Sequence, residues 1–499
     1  MKTIFITIFQ AVEAKNTIRT PLARALLADP DVRIVFLTQD ENRVMHYARE
    51  FVDEPRVTFI AEQYPRVYGL DRFFSKLKFL LLRTPTTTLL RWMLYELHGN
   101  PVRYWGAACA NFLFARAPVR RVVRALDYLL VSRTPYDKYF DEYKPDIVVL
   151  LHLFDDSEIH LLREARRRGV PTVGFINSWD KTTSRCTLRL LPDKAIVFNQ
   201  IVRHELMEHN EMRAEDIFVS GVPQYDIYFT EPPISRNDFF SRLGLNPRMR
   251  LILFSVMGEA FSNSDDDILR ELRALMDEGR IPDDVVFLVR FMPCDAVDRG
   301  RYPDAPRMRY EFPGVRFSYT SLVAVDWDMP NEEIVHLRDT LAHMEILVCY
   351  TSSLSIEAAI FDKPVININF EVGPKQPMAK SPTQFFEVDH YRKALATGAI
   401  RIVSSREELA LWINHYLAHP EIDREGRERL VREQCVYSDG RSGERIARFL
   451  LDTIEAHRTV PRAGRASGDT REASRLRPQR SPSSCQGQGP DARGSHTGR

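Results

Sequence analysis

Cysteine is scarce in the sequence, and its few copies stand far apart. The 499 residues include six cysteines, with no C-x-x-C pair and no cluster of cysteine and histidine at the spacing of a zinc site. They are Cys109, Cys186, Cys294, Cys349, Cys435 and Cys485. Isolated thiols of this kind favour a reducing compartment, so we predict a cytoplasmic protein.

Long hydrophobic runs are also missing. The most apolar stretch, residues 77–94, is interrupted by Lys78, Arg83 and Arg91, which leaves no continuous run of membrane-spanning length. The run at residues 3–9 resembles the core of a signal peptide, but polar residues follow it and no small-residue cleavage site is present. We therefore predict a buried first strand and no segment that crosses a bilayer.

Four common motifs are absent: G-x-x-x-x-G-K-[ST], G-x-G-x-x-G, H-E-x-x-H and G-x-S-x-G. Their absence argues against the usual ATPase, dinucleotide-binding, zinc-protease and α/β-hydrolase chemistries. Asp326 and Asp328 match an Asp-x-Asp metal pattern, but three-residue matches arise easily by chance and we interpret them as part of a loop. The three aspartates at residues 265–267 fit a helix start, where carboxylates favour the helix dipole. We predict no metal site.

The net charge of the whole chain is only +1, but the positive and negative residues are distributed unevenly along it. Residues 71–133 hold eleven Lys or Arg and three acids, and residues 459–499 hold eight Arg and three acids. These two segments carry +8 and +5, which leaves −12 for the rest of the chain. Such asymmetry points to an anionic partner. The second segment is rich in Arg, Gly, Ser and Pro, and we predict that it is a disordered tail.

Short β-branched runs alternate with helical patterns along most of the chain, which indicates βαβ units and parallel sheets. The length exceeds that of one hydrophobic core. We predict an α/β protein with two doubly wound Rossmann-like domains, a cleft between them, and a helical basic insert in the first domain. The predicted ranges are 1–230 for the first (acceptor) domain with its insert at 71–133, 231–248 for a linker, 249–438 for the second (donor) domain, 439–458 for a last helix that packs back across the domains, and 459–499 for the tail.

The most informative segment is a buried strand, residues 346–350, that runs into small hydroxyl residues. Ser352 and Ser353 open a helix there, and Glu357 lies one turn inside it. Backbone N–H groups and hydroxyls at a helix start suit an anion, and Glu357 could accept bonds from sugar hydroxyls. The alternative is that Ser352 or Ser353 caps the helix and Glu357 completes a capping box.

This segment, with Asp362-Lys363-Pro364 after it, resembles the donor-nucleotide segment of GT-B glycosyltransferases and their relatives. Those relatives include the nonhydrolysing UDP-GlcNAc 2-epimerases and the CDP-glycerol glycerophosphotransferases. Residues 219–226, the strand end at Arg290 and residues 439–446 also fit this resemblance. CDP-glycerol-type transferases carry Arg-x-His-Pro at the strand end, whereas this chain has Arg290-Phe291-Met292-Pro293 and lacks the His.

The resemblance implies a GT-B fold and a nucleotide-sugar donor as co-substrate, with no metal or redox cofactor. Ser352, Ser353 and Arg290 would hold the donor phosphates, because a guanidinium can bind two phosphate oxygens at once. Glu357 would hold the ribose or sugar hydroxyls. An ordinary salt-bridged arginine at a strand end is the alternative for Arg290.

Polar side chains also follow two strands of the first domain. Glycosyl transfer needs a base that takes a proton from the acceptor hydroxyl, and a carboxylate or histidine at a strand end is suitably placed. The candidate bases are His152, Asp155, Asp156 and Asp180, of which we favour Asp155 or Asp156. An aspartate at such a turn can instead be a helix N-cap. Lys181 and Arg185 are candidates for neutralising the leaving phosphate.

The basic insert interleaves Lys and Arg with aromatic residues. Cationic amphipathic helices of this kind can lie on an anionic membrane surface, which would suit a lipid-linked acceptor. The alternative is a set of helices packed on the first sheet with a solvated Arg face. We expect no nucleic-acid partner, because no recognition motif accompanies the charge.

The function predicted from these features is a metal-independent glycosyltransferase that moves a sugar from a nucleotide-sugar donor to a surface polysaccharide or lipid-linked acceptor. The alternatives are a 2-epimerase-type isomerase, a CDP-glycerol-type phosphotransferase and a non-catalytic carbohydrate-assembly protein. The predicted location is the cytoplasm, with peripheral attachment to the inner face of the membrane as an option.

Overall fold

The computed structural model describes residues 1–63, 66–132, 134–259, 261–293, 295, 297–317, 327–373 and 375–459. The first half of the chain forms a parallel sheet with the order β3-β2-β1-β4-β5-β6-β7. Its strands are β1 Lys2–Ile8, β2 Val32–Thr38, β3 Val57–Ala61, β4 Ile147–Leu150, β5 Thr172–Ile176, β6 Lys194–Val197 and β7 Ile217–Val219. All four residues of β4 are buried, as expected for strands covered on both faces.

The second half forms a second parallel sheet with the order β10-β9-β8-β13-β14-β15, and a two-stranded antiparallel pair β11-β12. The strands are β8 Arg250–Ser255, β9 Val285–Arg290, β10 Met308–Glu311, β11 Val315–Arg316, β12 Trp327–Asp328, β13 Ile346–Cys349, β14 Val365–Ile368 and β15 Ile400–Val403. In both sheets the strand order reverses beside the first strand, between β1 and β4 and between β8 and β13. Ligands of doubly wound sheets bind beyond the carboxyl ends of the strands at such reversals.

Helices cover both faces of each sheet. Those of the first half are α1 Ala11–Thr17, α2 Pro21–Leu27, α3 Glu41–Ala48, α4 Gly69–Leu77, α5 Pro85–His98, α6 Pro101–Phe114, α7 Ala117–Leu130, α8 Asp137–Tyr143, α9 Asp156–Arg168, α10 Lys181–Ser184, α11 Gln200–Asn210 and α12 Asp226–Thr230. Those of the second half are α13 Arg236–Arg242, α14 Asp265–Asp277, α15 Asn331–His343, α16 Leu354–Ile360, α17 Asp389–Leu395, α18 Arg406–Ala418, α19 Arg424–Gln434 and α20 Ser442–Thr459.

Successive side chains of the central strands point to opposite faces of the sheet, which divides the apolar core into clusters on the two faces. Ile4 and Ile6 of β1 point into one apolar cluster, whereas Phe5 points into another on the opposite face. Leu251 of β8 belongs to the same cluster as Ile4, so one apolar cluster includes side chains from both sheets. The predicted fold class is therefore confirmed: two doubly wound parallel sheets, with a helical insert in the first. The domain boundaries stay a prediction, and residues 460–499 of the predicted tail lie outside the described residues.

The insert consists of α4, α5, α6 and α7, and a buried arginine ties it to the first sheet. The guanidinium of Arg189 donates to Asp71 of α4 at 2.8 Å, to Asp127 of α7 at 2.7 Å and to Asp156 of α9 at 2.9 Å. Burial alone would raise the pKa of Asp71, but hydrogen bonds to His160 and Arg189 hold it well below its usual value. The pKa of Asp156 is lowered as well, so Asp71 and Asp156 stay ionised beside the guanidinium of Arg189.

The last helix, α20, begins against the first half of the chain. The carboxylate of Asp226 accepts hydrogen bonds from the backbone N–H groups of Ser442 at 3.0 Å and Gly443 at 2.8 Å. A side chain at Gly443 would lie 2.8 Å from the backbone nitrogen of Leu22, so only glycine fits this approach. Across the described part of the chain, no helix has both the length and the apolar character needed to cross a membrane.

Candidate functional site

A cavity of about 580 Å³ lies where the carboxyl ends of the two sheets face each other. Residues after β5, β8, β9 and β13 line it, together with Lys15 of α1 and with Thr86 and Leu90 of α5 in the insert. A second cavity of about 230 Å³ adjoins it and shares five lining residues with it. These are Lys15, Trp327, Met329, Ser353 and Glu357. The two cavities therefore form one cleft, and its walls come from both halves of the chain.

Arg290 ends β9 and lies buried in the cavity wall. Its Nη1 donates to Glu311 at 2.7 Å, and its Nη2 lies 3.8 Å from the carboxylate of Glu333. Nη2 has no hydrogen-bond partner among the described residues. Burial alone would raise the pKa of Glu311, but its hydrogen bond to His336 and the charge of Arg290 lower it. One guanidinium nitrogen is thus anchored, and the other is available to an oxyanion in the cavity.

The segment after β13 brings its hydroxyl groups to the same cavity. Ser352 and Ser353 both line it, and the Oγ of Ser352 accepts the backbone N–H of Leu354 at 3.2 Å. Glu357 is buried and accepts a hydrogen bond from the hydroxyl of Tyr228. Of the capping alternative, the structure shows the Ser352 hydroxyl bonded at the start of α16 but no capping box, because the N-cap residue Ser353 makes no side-chain hydrogen bond there. Burial and the charge of Glu357 raise the pKa of Tyr228 well above its usual value, so this hydroxyl keeps its proton.

Two further cations line the cleft from the first half of the chain. Lys15 belongs to both cavities, and Arg185 lies exposed just after α10. Within the described ranges, neither side chain makes an ion pair or a hydrogen bond. Arg185 was predicted from sequence as a phosphate-binding group, whereas Lys15 was missed. The signal that could have identified Lys15 is its place after β1, beside the reversal of strand order.

Asp180 and His390 bring a carboxylate and an imidazole to one wall. Asp180 accepts hydrogen bonds from the hydroxyls of Ser178 and Ser184. Burial alone would raise the pKa of Asp180, but His390, Ser178 and the cations nearby hold it below its usual value. Burial lowers the pKa of His390, so its imidazole is neutral at pH 7. The Nδ1 of His390 has no partner among the described residues, and its ring lies 4.9 Å from that of Trp179.

His152 and Lys181 lie behind the wall that holds Asp180. They are not among the described residues that line the cleft. Nδ1 of His152 is 3.2 Å from Glu13, and its backbone N–H donates to Glu158 at 2.8 Å. The ammonium of Lys181 donates to the side chain of Asn177 at 2.6 Å. Burial is the largest effect on both groups, and it lowers the pKa of each. These residues form a buried polar cluster beneath the carboxyl ends of β4 and β5.

Asp155 and Asp156, the favoured candidates for the base, have other partners. Asp155 is the N-cap of α9 and accepts the backbone N–H of Ser157 at 2.9 Å. Asp156 binds Lys78 at 3.0 Å as well as Arg189. Neither is among the described residues that line the cleft. Their predicted role as base stays a prediction. The contact of Asp155 matches the alternative of a helix N-cap, whereas the ion pairs of Asp156 were not anticipated.

Asp328 contributes to the contact between the two halves. Arg19 donates to its two oxygens at 2.9 and 2.5 Å, and Nε2 of His46 lies 2.8 Å away. Asp328 belongs to the short strand β12, so the predicted loop is wrong at this residue, while Asp326 lies outside the described residues. The predicted helix start at Asp265 is confirmed. In the described ranges, no group of three or more histidine, cysteine or acidic side chains is arranged to hold a metal ion.

No protein-family model and no curated protein matches the sequence. Solved structures do match the architecture. One is MnaA of S. aureus with UDP, at 13% identity and a TM-score of 0.50 over 91% of this chain and 97% of that chain. Another is the UDP-GlcNAc 2-epimerase of Neisseria meningitidis bound to UDP-GlcNAc, at 10% identity and a TM-score of 0.50 over 91% of this chain and 100% of that chain. The chain has the GT-B fold. The GT-B arrangement places the cleft between two Rossmann-like sheets, where the residues above converge.

Proposed function

We propose that the protein is a nucleotide-sugar enzyme of the GT-B type, and specifically a glycosyltransferase. The observation that carries this proposal is the buried Arg290, whose Nη2 has no hydrogen-bond partner among the described residues, in the wall of a cleft that Lys15, Arg185, Ser352 and Ser353 also line. Cationic groups with hydrogen-bond donors to spare, around a cavity of this size, suit a nucleoside diphosphate. Two proteins with the same fold were solved with UDP or UDP-GlcNAc, which supports this class of ligand.

The cleft offers distinct surfaces to the parts of such a donor. Apolar side chains at the ends of β8 and β9, including Met257, Phe261 and Phe291, can pack on a nucleobase. Arg290 and Ser353 would hold the diphosphate, and Arg185 would neutralise the leaving phosphate. Lys181 stays a candidate for the leaving phosphate in our proposal, although its ammonium is bonded to Asn177. Glu357 would orient sugar or ribose hydroxyls through the oxygen that Tyr228 does not bind.

The transfer step needs a base on the acceptor side. A base takes the proton of the acceptor hydroxyl, the acceptor oxygen bonds to the anomeric carbon, and the bond from that carbon to the phosphate oxygen breaks. Asp180 and His390 are the described groups of the cleft that suit this role. In this proposal the charge on the departing diphosphate is met by side-chain cations, and no cofactor takes part. We propose a surface polysaccharide or a lipid-linked glycan as the acceptor, on the cytoplasmic side of the membrane.

The same pair supports a second candidate, an isomerase that inverts a carbon of the sugar. Two proton-transfer groups on one wall, Asp180 and His390, could remove and return a proton. A CDP-glycerol-type phosphotransferase is less favoured, because the chain lacks the histidine expected two residues after Arg290.

The experiment that separates these functions uses purified full-length protein. We expect UDP-sugars to raise its melting temperature, because a ligand that binds the folded state stabilises it. Incubation with the stabilising UDP-sugar should then be followed by NMR, with and without a glycan acceptor. Consumption of the donor only with acceptor supports the transferase, and an epimer without acceptor supports the isomerase. Asp180→Asn should lower turnover by about 10²–10⁴-fold while UDP binding is kept. An absence of stabilisation by any nucleotide or nucleotide sugar would overturn the proposal.

The pH dependence should distinguish the two candidate bases. A base acts only when it is deprotonated, and burial lowers the pKa of His390 from an ordinary value of 6.5. If His390 is the base, kcat/KM should be flat near neutral pH and fall on acidification, with a midpoint below 6.5. If Asp180 is the base, activity should persist until the pH falls below 3.8, since the pKa of Asp180 is lowered from that value. An acidic limb centred above 6.5 would contradict both assignments.

A further inference from the structure

The insert exposes far more apolar surface than the rest of the described chain. Of the 24 large hydrophobic side chains that are exposed, 15 lie within residues 70–130. Single exposed apolar residues are ordinary on a soluble protein, but a concentration of this kind marks an interaction surface. We call these exposed apolar side chains, which belong to α4, α5, α6 and α7 except for Phe79 between α4 and α5, the insert face.

Helix α7 shows how the insert face arises. Its buried side carries Arg120 and Asp127, which pair with Glu211 and with Arg189. Its outer side carries Val122, Leu126 and Leu129, which are 59%, 44% and 71% exposed. The spacing of four and three residues places them on one stripe. A helix of a soluble protein normally buries such a stripe, whereas α7 exposes it and buries the charged Arg120 and Asp127 instead.

Aromatic side chains extend the insert face across the next two helices. Trp92 of α5 contacts Tyr104 of α6 with ring centroids 5.5 Å apart, and Tyr104 contacts Trp105 at 5.2 Å. Trp105 itself is 64% exposed. Tryptophan and tyrosine are the residues that favour the boundary between lipid headgroups and acyl chains.

The charges around the insert face are cationic and unpaired. Six cations of the insert are exposed and make no ion pair within the described residues: Arg72, Lys76, Arg83, Arg103, Arg116 and Arg121. The one exposed acid among described residues 71–132 is Glu96, which accepts the backbone N–H of Met378 at 2.6 Å. Like charge disfavours a second copy of this face as the partner. Nucleic acid would pair with the cations but would leave the exposed valine and leucine side chains uncovered.

We propose that the insert face binds an anionic lipid bilayer, with α4, α5, α6 and α7 lying in the plane of the interface. Valine, leucine and tryptophan side chains would enter the acyl boundary, and the arginines would contact lipid phosphates. Helix α5 carries Thr86 and Leu90 in the cleft wall and Trp92 on the insert face, so docking would hold the cleft beside the lipid surface. The link to a lipid-linked acceptor rests on the proposed function, whereas lipid binding itself does not.

The test is co-sedimentation of the full-length protein with phosphatidylcholine vesicles that contain or lack phosphatidylglycerol. We expect binding to the anionic vesicles only, and binding that weakens as salt rises. Trp105→Asp with Leu129→Asp should weaken binding by about tenfold or more for each residue. Arg103→Gln with Arg116→Gln should weaken it by about fivefold for each arginine. Leu411→Asp and Arg448→Gln change exposed residues outside the insert, and these variants should bind as the unchanged protein does.

Circular dichroism should show that all variants are folded, because the altered side chains are exposed. Equal binding to neutral and anionic vesicles would overturn the proposal. Insert variants that bind vesicles as the unchanged protein does would also overturn it, and would assign the binding to another part of the chain. If the unchanged protein binds no vesicles and forms oligomers that the Leu129→Asp change converts to monomers, the proposal would also be overturned. The partner of the insert face would then be a second copy of the chain. Vesicle binding by a protein that binds no nucleotide would refute the proposed function and leave this inference standing.

Discussion

We expect the Arg189→Met variant to lose about 3–5 kcal/mol in the free energy of unfolding, the cost of removing one member of a buried ion-pair network. Methionine preserves much of the length of the side chain but leaves its three carboxylate partners without the central cation. Asp127 would keep its bond to Arg163, at 2.7 Å, and Asp71 its contact with His160, at 3.0 Å. Their remaining negative charge would lie in a poorly solvated site, which is why the expected loss is large.

The loss should depend on pH. The pKa values of Asp71 and Asp156 are held below the ordinary 3.8 in the folded protein, so they contribute stability above that pH. This contribution disappears as pH falls through their lowered values, where the carboxylates take up protons. The difference between the unchanged protein and Arg189→Met should therefore be largest near neutral pH and narrow on acidification below 3.8.

Urea unfolding followed by circular dichroism measures both quantities. Arg448→Met is the matched control, because Arg448 is exposed, and its loss should change stability by less than about 0.5 kcal/mol. Asp156→Asn extends the test to one of the two residues, Asp155 and Asp156, that the sequence favoured as the base. If Asp156→Asn keeps full stability but loses turnover, the structural role of Asp156 would be contradicted and its catalytic role supported.

The general architecture could be predicted because it depends on local pattern. Runs such as Ile147–Leu150 are buried on both faces, and short β-branched runs that alternate with helical patterns are typical of covered parallel strands. Ser352, Arg290 and Asp180 all line the cleft, because each lies at or shortly after the carboxyl end of a strand and parallel strands end at one edge. Their roles in binding and catalysis stay predictions. The position of a residue after a strand is information that the sequence contains.

The partners of a side chain were harder to predict, because they come from distant segments. Asp156 looked like a free carboxylate at a strand end, but Lys78 and Arg189 engage it from 78 and 33 residues away. Lys15 and His390 were missed because each is a single residue on a helix without a motif. The sequence indicated that the insert helices are amphipathic, but the face that points inward depends on Glu211 and Arg189, which lie beyond the insert.

The second large effect is expected at Arg290. Arg290→Lys should weaken UDP binding by about ten- to a hundredfold, because one charge-assisted hydrogen bond to phosphate contributes about 1.5–3 kcal/mol. The lysine side chain ends in one ammonium nitrogen, whereas the arginine guanidinium ends in two nitrogens that can bind different partners. That nitrogen can pair with Glu311, as Nη1 does at 2.7 Å, or it can reach the ligand, but it cannot do both. The folded state should therefore lose little stability while the ligand loses its donor.

Isothermal titration with UDP measures the change, and the melting temperature without ligand reports the fold. Glu333→Gln is the matched control, because it removes the carboxylate 3.8 Å from Nη2 without altering the arginine. With that competing charge gone, UDP should bind as tightly as before or more tightly. Unchanged affinity in Arg290→Lys would mean that Nη2 does not contact the phosphates. Equal losses in both variants would mean that the whole wall had shifted, and the role of Arg290 would then be structural.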